Sequence, residues 1–425
     1  MPDRIEIEPT GPLHATVRPP GSKSITNRAL VCAALAEGTS TLQGVLDSQD
    51  TRVMIDGLVR LGLVPEVDAT GRKIQITGRG GKLPVARAEL AAASSGTTIR
   101  FLTALAALGR GTFRLDGSER MRSRPIGDLL DALNQLGAEA TSEPKSGCPP
   151  VIVRAAGLPG GRATIRGDVS SQFLSALLMV APYAEHDVEL VVEGPLVSQP
   201  YIRMTLGVMS AFGVDVSEGD FSRFSIAAGG RYGARRYEIE PDASAASYFW
   251  GAAAVSGGTI TIQGLTREGL QGDVAFCDCL ARMGCRVQYG CDAVTVSAGD
   301  TLTGIDVDMN SISDTVQTLA AVALFAEGPT TITGVAHIRH KETDRIGDLA
   351  RELRKLGAVV EERRDGMSIV PADVHAAEIE TYDDHRMAMS LALVGLRVPG
   401  VVIKNPNCTA KTYPGFFDDL ASLAR

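Results

Sequence analysis

The sequence has few aromatic residues and no long apolar segment. Aromatic residues make up 5% of the 425 residues, with a single Trp. The longest uncharged apolar stretch, residues 173–184, is shorter than the roughly 20 residues that a membrane-spanning helix needs. The first residues alternate between polar and apolar and contain no signal-peptide core. We therefore expect a cytoplasmic protein with no membrane partner.

The chain also lacks an excess of positive charge. It contains 50 acidic and 42 basic side chains, which gives a net charge of −8. Nucleic-acid-binding proteins usually have a basic excess, so we expect no nucleic-acid partner. Any anionic ligand must be attracted by a local cluster of cations that acts against the overall charge.

The cysteines provide no disulfide or metal framework. Their number, seven, is odd, and with no export signal we expect reduced thiols. Cys277, Cys279, Cys285 and Cys291 raise the possibility of a zinc site. However, Cys277 and Cys279 are two residues apart in a helical pattern and so lie on different faces. The spacing also lacks CxxC pairs, so we expect no metal.

Nucleotide-binding loops are not indicated either. Residues 78–82 (GRGGK) resemble a phosphate-binding loop, but no Ser or Thr follows and the first Gly is wrongly spaced. We expect a hairpin at this position. No GxGxxG follows a predicted strand, so neither a nucleoside triphosphate nor a dinucleotide is expected.

A sixfold repeat is the strongest feature that the sequence does contain. Six short strand-like segments follow apolar helix-like segments and end at residues 44, 117, 194, 264, 334 and 405, at intervals of 70 to 77 residues. A fixed period indicates one supersecondary unit used repeatedly. We predict an α/β fold with three repeats in each of two domains. Pro-containing segments before residues 22 and 242 place the domains at 22–241 and at 1–21 plus 242–425; the period alone leaves the partner of the N-terminal strand open.

Charged and hydrogen-bonding residues precede the helix-like segments. In the first repeat, Ser22 or Ser24 can cap a helix, and Lys23 and Arg28 add positive charge beside its N-terminus. Together they favour a phosphate or carboxylate site. The alternative is an ordinary cap with solvated basic residues.

The other repeats begin with different chemistry. Gly96 would allow a ligand to approach the backbone closely, and Arg124 follows two further Arg residues. Asp314 can be a helix cap or, if partly buried, a base. Lys341, Glu342 and Arg345 place an ammonium, a carboxylate and a guanidinium within one turn, where a carboxylate can exchange protons while cations hold an anion.

These segments resemble the 5-enolpyruvylshikimate-3-phosphate synthases, the enolpyruvyl transferases of the shikimate pathway. The resemblance covers nearly the whole chain. It rests on nine motifs: PGSKSxxNRAL at 20–30, SGTTIR at 95–100, RMRSRPI at 120–126, SSQFLSALLMxAP at 170–182, PYI at 200–202, DASAASYF at 242–249, RHKETDR at 339–345, DDHRMAM at 383–389 and NCTAKTYP at 407–414.

The resemblance implies a fold and a reaction. The fold has six βαβαββ repeats, three per domain, with helix N-termini facing an interdomain cleft and the N-terminal strand in the C-terminal domain. The reaction transfers the enolpyruvyl group of phosphoenolpyruvate to the 5-hydroxyl of shikimate 3-phosphate and releases phosphate. Addition and elimination pass through a tetrahedral intermediate without a metal or organic cofactor. The expected partners are these small-molecule substrates, and a monomer is expected.

The resemblance also implies roles for particular residues. Shikimate 3-phosphate would be held by Lys23, Ser24, Arg28, Ser170, Ser171, Gln172, Ser198, Tyr201, Asp314, His337 and Lys341. Phosphoenolpyruvate would be held by Lys23, Gly96, Arg124, Gln172, Arg345, His385, Arg386 and Lys411. Asp314 would act as base at the 5-hydroxyl, Glu342 as acid at the methylene carbon and then as base, and Lys23 as proton donor to the departing phosphate.

Three positions depart from the common family pattern. Ser94 replaces an Asn, Phe101 replaces a Pro, and His337 stands where many members have Asn. The retained Gly96 implies ordinary sensitivity to glyphosate, an inhibitor of the phosphoenolpyruvate site. One alternative is a related transferase that acts on UDP-N-acetylglucosamine; it uses a catalytic-loop Cys, and no Cys lies in the region just before Arg120 where that loop would fall. The other alternative is a repeat scaffold that only binds.

Overall fold

The structure, a computed structural model, describes residues 2–423 and divides the chain into two compact units. The first unit comprises Gly21–Ile239, and the second comprises the residues up to Pro20 together with those from Glu240 onward. The chain therefore crosses between the units twice.

The helices of the described residues are α1 (Lys23–Leu35), α2 (Gln49–Arg60), α3 (Gly96–Ala106), α4 (Gly127–Gln135), α5 (Ser171–Val180), α6 (Gln199–Ala211), α7 (Ala243–Ser256), α8 (Phe276–Arg282), α9 (Val316–Ala323), α10 (Gly347–Lys355), α11 (His385–Gly395) and α12 (Phe416–Ser422). Within residues 2–423, no helix combines the length and the hydropathy that crossing a bilayer requires.

The strands of the same residues are β1 (Arg4–Glu6), β2 (His14–Val17), β3 (Glu37–Gln43), β4 (Pro65–Val67), β5 (Lys73–Arg79), β6 (Arg87–Ala91), β7 (Arg110–Asp116), β8 (Glu139–Ser142), β9 (Val151–Ala156), β10 (Gly161–Arg166), β11 (Val188–Glu193), β12 (Ser217–Gly219), β13 (Arg223–Ile226), β14 (Arg236–Glu238), β15 (Thr259–Gln263), β16 (Arg286–Tyr289), β17 (Ala293–Ser297), β18 (Leu302–Thr303), β19 (Asp306–Asp308), β20 (Ala326–Glu327), β21 (Thr330–Thr333), β22 (Val359–Arg363), β23 (Gly366–Val370), β24 (Glu378–Ile379) and β25 (Val402–Lys404).

Six small sheets repeat one pairing pattern, in which a parallel pair is extended by antiparallel strands. In the first unit the orders are β14-β3-β5-β4, β6-β7-β9-β8 and β10-β11-β13-β12; in the second they are β2-β15-β17-β16, β19-β21-β23-β22 and β24-β25-β1. The six strands predicted from the period are β3, β7, β11, β15, β21 and β25, the second strand of each of these six sheets. The predicted six-repeat α/β fold is confirmed.

The two chain crossings separate a strand from the helix that follows it. Strand β2 precedes α1 in sequence but pairs in parallel with β15, from Thr259 to Ile262. Strand β14 precedes α7 but pairs in parallel with β3. Strand β1 pairs antiparallel with β25 and completes the sixth sheet. The second unit thus takes β1 and β2 from before the first crossing, whereas β14 pairs within the first unit, just before the second crossing.

The first helix of every repeat is buried on nearly all sides. Helices α1, α3 and α5 pack together in the first unit, and α7, α9 and α11 pack together in the second. Their sequences are rich in Ala, Leu and Val, and such an apolar circumference is typical of buried helices. Five of the six begin after a side-chain cap: Ser22, Ser95, Ser170, Asp242 and Asp384. The buried helices therefore present their polar residues at their N-terminal ends.

The hairpin prediction for residues 78–82 is wrong. Strand β5 extends to Arg79 and pairs with β3 and β4, whereas the next strand, β6, pairs with β7 in a different sheet. Residues 80 and 81 instead form a turn between two sheets. Gly80 and Gly81 adopt positive φ angles of 59° and 82° in this turn, which glycine tolerates without strain.

Candidate active site

A cluster of carboxylates and cations lies at the starts of the buried helices of the second unit. Arg345 is at its centre and is nearly fully buried. Its Nε and Nη2 donate to the two oxygens of Asp384, at 2.7 and 3.1 Å. Nη2 also donates to Glu342 Oε2 at 2.9 Å, and Nη1 to Asp314 Oδ1 at 3.2 Å. Burial alone would lower the pKa of Arg345, but these three carboxylates raise it, so its charge is fixed.

Arg386 forms the second part of this cluster. Its Nη2 donates to Asp314 Oδ2 at 2.7 Å, and its Nη1 to the hydroxyl oxygen of Tyr248 at 3.2 Å. Asp314 therefore lies between two guanidinium groups while its side chain remains 16% exposed. It precedes α9 within a 3₁₀ turn, Asn310–Thr315. This setting keeps a carboxylate partly exposed beside two cations.

Lys411 completes the cluster by pairing with Glu342. The ammonium donates to Glu342 Oε1, while Oε2 accepts from Arg345. Glu342 is mostly buried but keeps 11% of its side chain exposed. The structure thus brings together Asp314, Glu342, Arg345, Arg386 and Lys411, as expected from the sequence.

Two histidines lie at the edges of the cluster. His337 is buried, and its Nε2 lies 3.0 Å from Ser313 Oγ, one residue before Asp314. Burial and the nearby ammonium of Lys341 lower the pKa of His337 to about 3, so the ring is neutral. His385 is fully buried, with Nδ1 3.6 Å from Asp384 Oδ1. Lys341 directly follows the 3₁₀ turn that carries His337.

In the first unit, helix α1 begins with a cation. Ser22 caps the helix by accepting from the backbone N–H of Ile25. Lys23 is the first helical residue, and its Nζ lies 3.5 Å from Asp50 Oδ2. Asp50 is buried and is a contact that the sequence analysis did not identify. A carboxylate at this distance helps to orient the ammonium.

Arg28 lies deeper than its position beside a helix start suggests. Its guanidinium donates to Thr205 Oγ1 at 2.7 Å, to Ser175 Oγ at 3.3 Å and to the backbone oxygens of Ser24 and Tyr201. It also stacks over the ring of Phe101, with 5.4 Å to the centroid. Burial lowers the pKa of Arg28 to about 10, so it is still a cation at neutral pH. These contacts join α1 to α5 and α6.

Gly96 and Arg124 are in direct contact. A Cβ atom on Gly96 would lie 2.6 Å from Arg124 Nη2 and 2.9 Å from its Cζ. The guanidinium therefore rests against the start of α3, where only glycine leaves space. Arg124 is buried. The two residues, both expected to bind phosphoenolpyruvate, are therefore neighbours in the structure.

Gln172 is held by residues of α3. Its Oε1 accepts from Arg100 Nη1 at 2.5 Å, and its Nε2 donates to Thr97 Oγ1 at 3.3 Å. Arg100 stacks over Phe173, with 5.0 Å to the centroid. The sequence did not assign a role to Arg100. However, an arginine one turn into an apolar helix indicates that its buried charge needs a hydrogen-bonding partner.

The remaining hydroxyls flank α5 and α6. Ser170 caps α5 by accepting from the N–H of Gln172 at 3.3 Å, and Ser171 is its first residue. Ser198 precedes α6 with φ of 54°, and its carbonyl accepts from the N–H of Tyr201 at 3.0 Å. A left-handed serine is an uncommon conformation that often marks functional positions.

The departures from the family pattern have local partners. Ser94 lies 3.0 Å from Ser118, hydroxyl to hydroxyl. Phe101 provides the face on which Arg28 stacks. His337 uses the hydroxyl of Ser313. Each substitution is therefore accommodated within the structure.

The cysteines are free thiols. Cys277, Cys279 and Cys285 are buried and Cys291 is exposed; burial raises the pKa of Cys279 to about 11. In the part of the chain that the structure describes, no group of three or more His, Cys, Asp or Glu side chains is arranged to hold a metal ion.

The fold and its side chains define a class of proteins. Six βαβαββ repeats in two units, with carboxylates and cations at helix starts, are the architecture of enolpyruvyl transferases. A model of the family described as EPSP synthase (3-phosphoshikimate 1-carboxyvinyltransferase) matches residues 7–420.

Comparisons with individual proteins agree. The chain is 50% identical over 416 residues to the 3-phosphoshikimate 1-carboxyvinyltransferase of Nostoc punctiforme, covering 98% of each chain. It is 45% identical to that of Shewanella pealeana, covering 99% of this chain and all of the relative. The EPSP synthase structure from Acinetobacter baumannii superimposes with a TM-score of 0.82 at 25% identity, covering 99% of this chain and 98% of the other. The chain belongs to the EPSP synthase family, a family of transferases.

Proposed function

We propose that the protein transfers the enolpyruvyl group of phosphoenolpyruvate to the 5-hydroxyl of shikimate 3-phosphate and releases inorganic phosphate. The observation that carries this proposal is the cluster in which Asp314 and Glu342 lie among Arg345, Arg386 and Lys411. Family membership supports the same reaction.

The reaction requires a base and an acid in the same site. In the addition step, the 5-hydroxyl loses its proton, its oxygen bonds to C2 of phosphoenolpyruvate, and C3 gains a proton to become a methyl group. We assign the first proton to Asp314 and the second to Glu342. In the elimination step, Glu342 removes a proton from the methyl group while the C2–O bond to phosphate breaks. Proton transfer by positioned side chains contributes about 10²- to 10⁴-fold in rate.

The cations serve the phosphate and carboxylate of phosphoenolpyruvate. Three cations and three carboxylates are paired in the second unit: Arg345, Arg386 and Lys411 with Asp314, Glu342 and Asp384. An anionic substrate would compete with Asp314 for Arg386 and with Glu342 for Lys411. Substrate binding would then free the carboxylates of Asp314 and Glu342 for proton transfer. Arg386 and Lys411 would stabilise the negative charge that develops on the leaving phosphate.

The first unit supplies groups for the acceptor and further cations. We assign the acceptor to Ser24, Arg28, Ser170, Ser171, Gln172, Ser198 and Tyr201, together with Lys23, Asp314, His337 and Lys341. Lys23, Gly96, Arg124 and Gln172 would act on phosphoenolpyruvate along with Arg345, His385, Arg386 and Lys411. Arg28 acts partly by holding Ser24 and Tyr201 in place, because it donates to both backbone oxygens.

Lys23 is assigned a proton transfer to the departing phosphate. Its side chain is 13% exposed and its ammonium lies 3.5 Å from Asp50, so its orientation is set before the substrate arrives. The protein is proposed to work as a cytoplasmic monomer with no metal or organic cofactor. Light scattering of the purified protein would check the monomer, and activity after chelation would check the absence of a metal requirement.

The test is phosphate release by the purified protein. Phosphoenolpyruvate is supplied with shikimate 3-phosphate in one reaction and with UDP-N-acetylglucosamine in another. The proposal expects release only with shikimate 3-phosphate. Release only with the nucleotide sugar would instead indicate the related transferase, and release with neither would indicate a binding scaffold.

A further inference from the structure

The motif at residues 242–249 in α7 contains a buried phenol that the reaction scheme does not use. Tyr248 is 1% exposed, and its hydroxyl oxygen accepts from Arg386 Nη1 at 3.2 Å. The other edge of that guanidinium, Nη2, donates to Asp314. One side chain of α7 thus shares Arg386 with the proposed base.

The ring of Tyr248 is fixed independently of its hydroxyl. It packs edge-to-face on Phe416, with centroids 5.5 Å apart and an interplanar angle of 74°. Phe416 begins α12, five residues after Lys411. Aromatic pairs of this geometry contribute beyond their buried area, so the phenol is held in place without help from Arg386.

The phenol differs from the carboxylates around it in charge. Burial raises the pKa of Tyr248 to about 12, despite the opposing effect of Arg386 and Arg345. The hydroxyl is therefore neutral at physiological pH. A neutral acceptor orients a guanidinium without cancelling its positive charge, whereas Asp314 does both.

We propose that Tyr248 is a positioning residue for phosphoenolpyruvate, whose hydroxyl fixes the orientation of Arg386 while leaving its charge for the anionic substrate. This inference rests on the proposed function. The hydroxyl acts through Arg386 and has no part in proton transfer, so its loss should weaken phosphoenolpyruvate binding more than binding of shikimate 3-phosphate.

The first test is Tyr248→Phe, which removes the hydroxyl and keeps the ring on Phe416. Tyr232→Phe is the matched control: Tyr232 is also fully buried, and its hydroxyl donates to the backbone oxygen of Met179 at 2.9 Å and hydrogen-bonds Cys32. Steady-state kinetics should show KM for phosphoenolpyruvate raised about tenfold in Tyr248→Phe, as expected for a hydrogen bond to a charged group. KM for shikimate 3-phosphate should stay within about twofold, and Tyr232→Phe should change neither constant by more than that.

A double-mutant cycle with Arg386→Lys separates positioning from general packing. Lysine cannot make both contacts of the guanidinium, so the effect of Tyr248→Phe on KM for phosphoenolpyruvate should largely disappear in the Arg386→Lys background. Additive effects, an equal rise in both KM values, or loss of folded protein in Tyr248→Phe by circular dichroism would overturn the inference. A wild-type enzyme that does not turn over would overturn the proposed function and this inference with it. A wild-type enzyme that turns over beside a Tyr248→Phe variant with unchanged KM would overturn this inference alone.

Discussion

The guanidinium of Arg124 rests against the backbone of Gly96, so that a Cβ on Gly96 would lie 2.6 Å from Nη2. Real Cβ atoms do not approach this closely, and Arg124 would have to move. Because both residues are buried in the first unit, the movement would carry the charge away from the start of α3. The absence of a side chain at Gly96 therefore allows the guanidinium of Arg124 to lie at the start of α3.

Gly96→Ala should raise KM for phosphoenolpyruvate by about tenfold or more, equivalent to the loss of roughly one charged hydrogen bond. Inhibition by glyphosate should weaken in parallel, and KM for shikimate 3-phosphate should change little. Gly127→Ala is the matched control, since Gly127 also begins a helix but its Cβ would meet nothing closer than 3.4 Å. Equal KM values in the two variants would contradict this account of Arg124.

Glu342→Gln should lower kcat by about 10²- to 10⁴-fold, because an amide can neither donate nor remove the proton at C3. The amide retains the shape of the carboxylate beside Arg345 and Lys411, so substrate dissociation constants from calorimetry should change far less. The control is Glu143→Gln, which removes a carboxylate paired with Arg114 at 2.9 Å on the surface. If Glu342→Gln fails to fold, the residue is structural.

Asp314→Asn should separate catalysis from phosphoenolpyruvate binding. The carboxylate is the proposed base, so kcat should fall by about 10²-fold or more. It also neutralises Arg386 and Arg345, and its removal leaves both guanidinium groups with more charge for the substrate. KM for phosphoenolpyruvate should therefore stay level or fall. A large rise in that constant with unchanged kcat would show that Asp314 binds this substrate and is not the base.

His337 should make stability depend on pH. Its pKa is about 3 in the folded protein and near 6.5 in an unfolded chain, so the unfolded state binds more protons below pH 6.5. The stability that the neutral ring contributes is complete above pH 6.5 and is lost as pH falls toward 3. Relative to His337→Asn, the wild type should lose about 2 kcal/mol of unfolding free energy between pH 7.5 and pH 5. Urea titrations at both pH values measure this, and a pH-independent difference would show that the pKa of His337 is the same in the folded and unfolded states.

The repeat could be predicted from the sequence because it depends on local patterns. Strands β3, β11 and β15 are each followed by a glycine with positive φ, Gly44, Gly194 and Gly264, a conformation that glycine favours. The residue pattern alone could not predict the pairing of β2 with β15, since residues 14–17 and 259–262 are far apart in the chain and either unit could accept a short strand. Only the family resemblance placed the N-terminal strand in the C-terminal domain. The glycines at 78–82 predict a turn. Their sequence does not show whether that turn joins two strands of one sheet, as in a hairpin, or strands of two different sheets.

The site shows the same division between local and distant information. Charge beside a helix start is visible in the sequence, and Lys23 and Asp314 lie as that pattern suggests. The same pattern does not show that hydroxyls of Ser175 and Thr205 surround Arg28, because these belong to other helices. Tyr248 was missed for a related reason, although a tyrosine inside an otherwise apolar helix indicates a buried hydrogen-bond partner.

The most direct measurement is the product formed in deuterated water from phosphoenolpyruvate and shikimate 3-phosphate. The central claim is that Glu342 protonates C3 and later removes a proton from the resulting methyl group. The account predicts an enolpyruvyl ether of shikimate 3-phosphate, with deuterium in its vinyl positions by NMR and with phosphate released. A product without deuterium at those carbons would contradict protonation at C3, and no product would contradict the transfer itself.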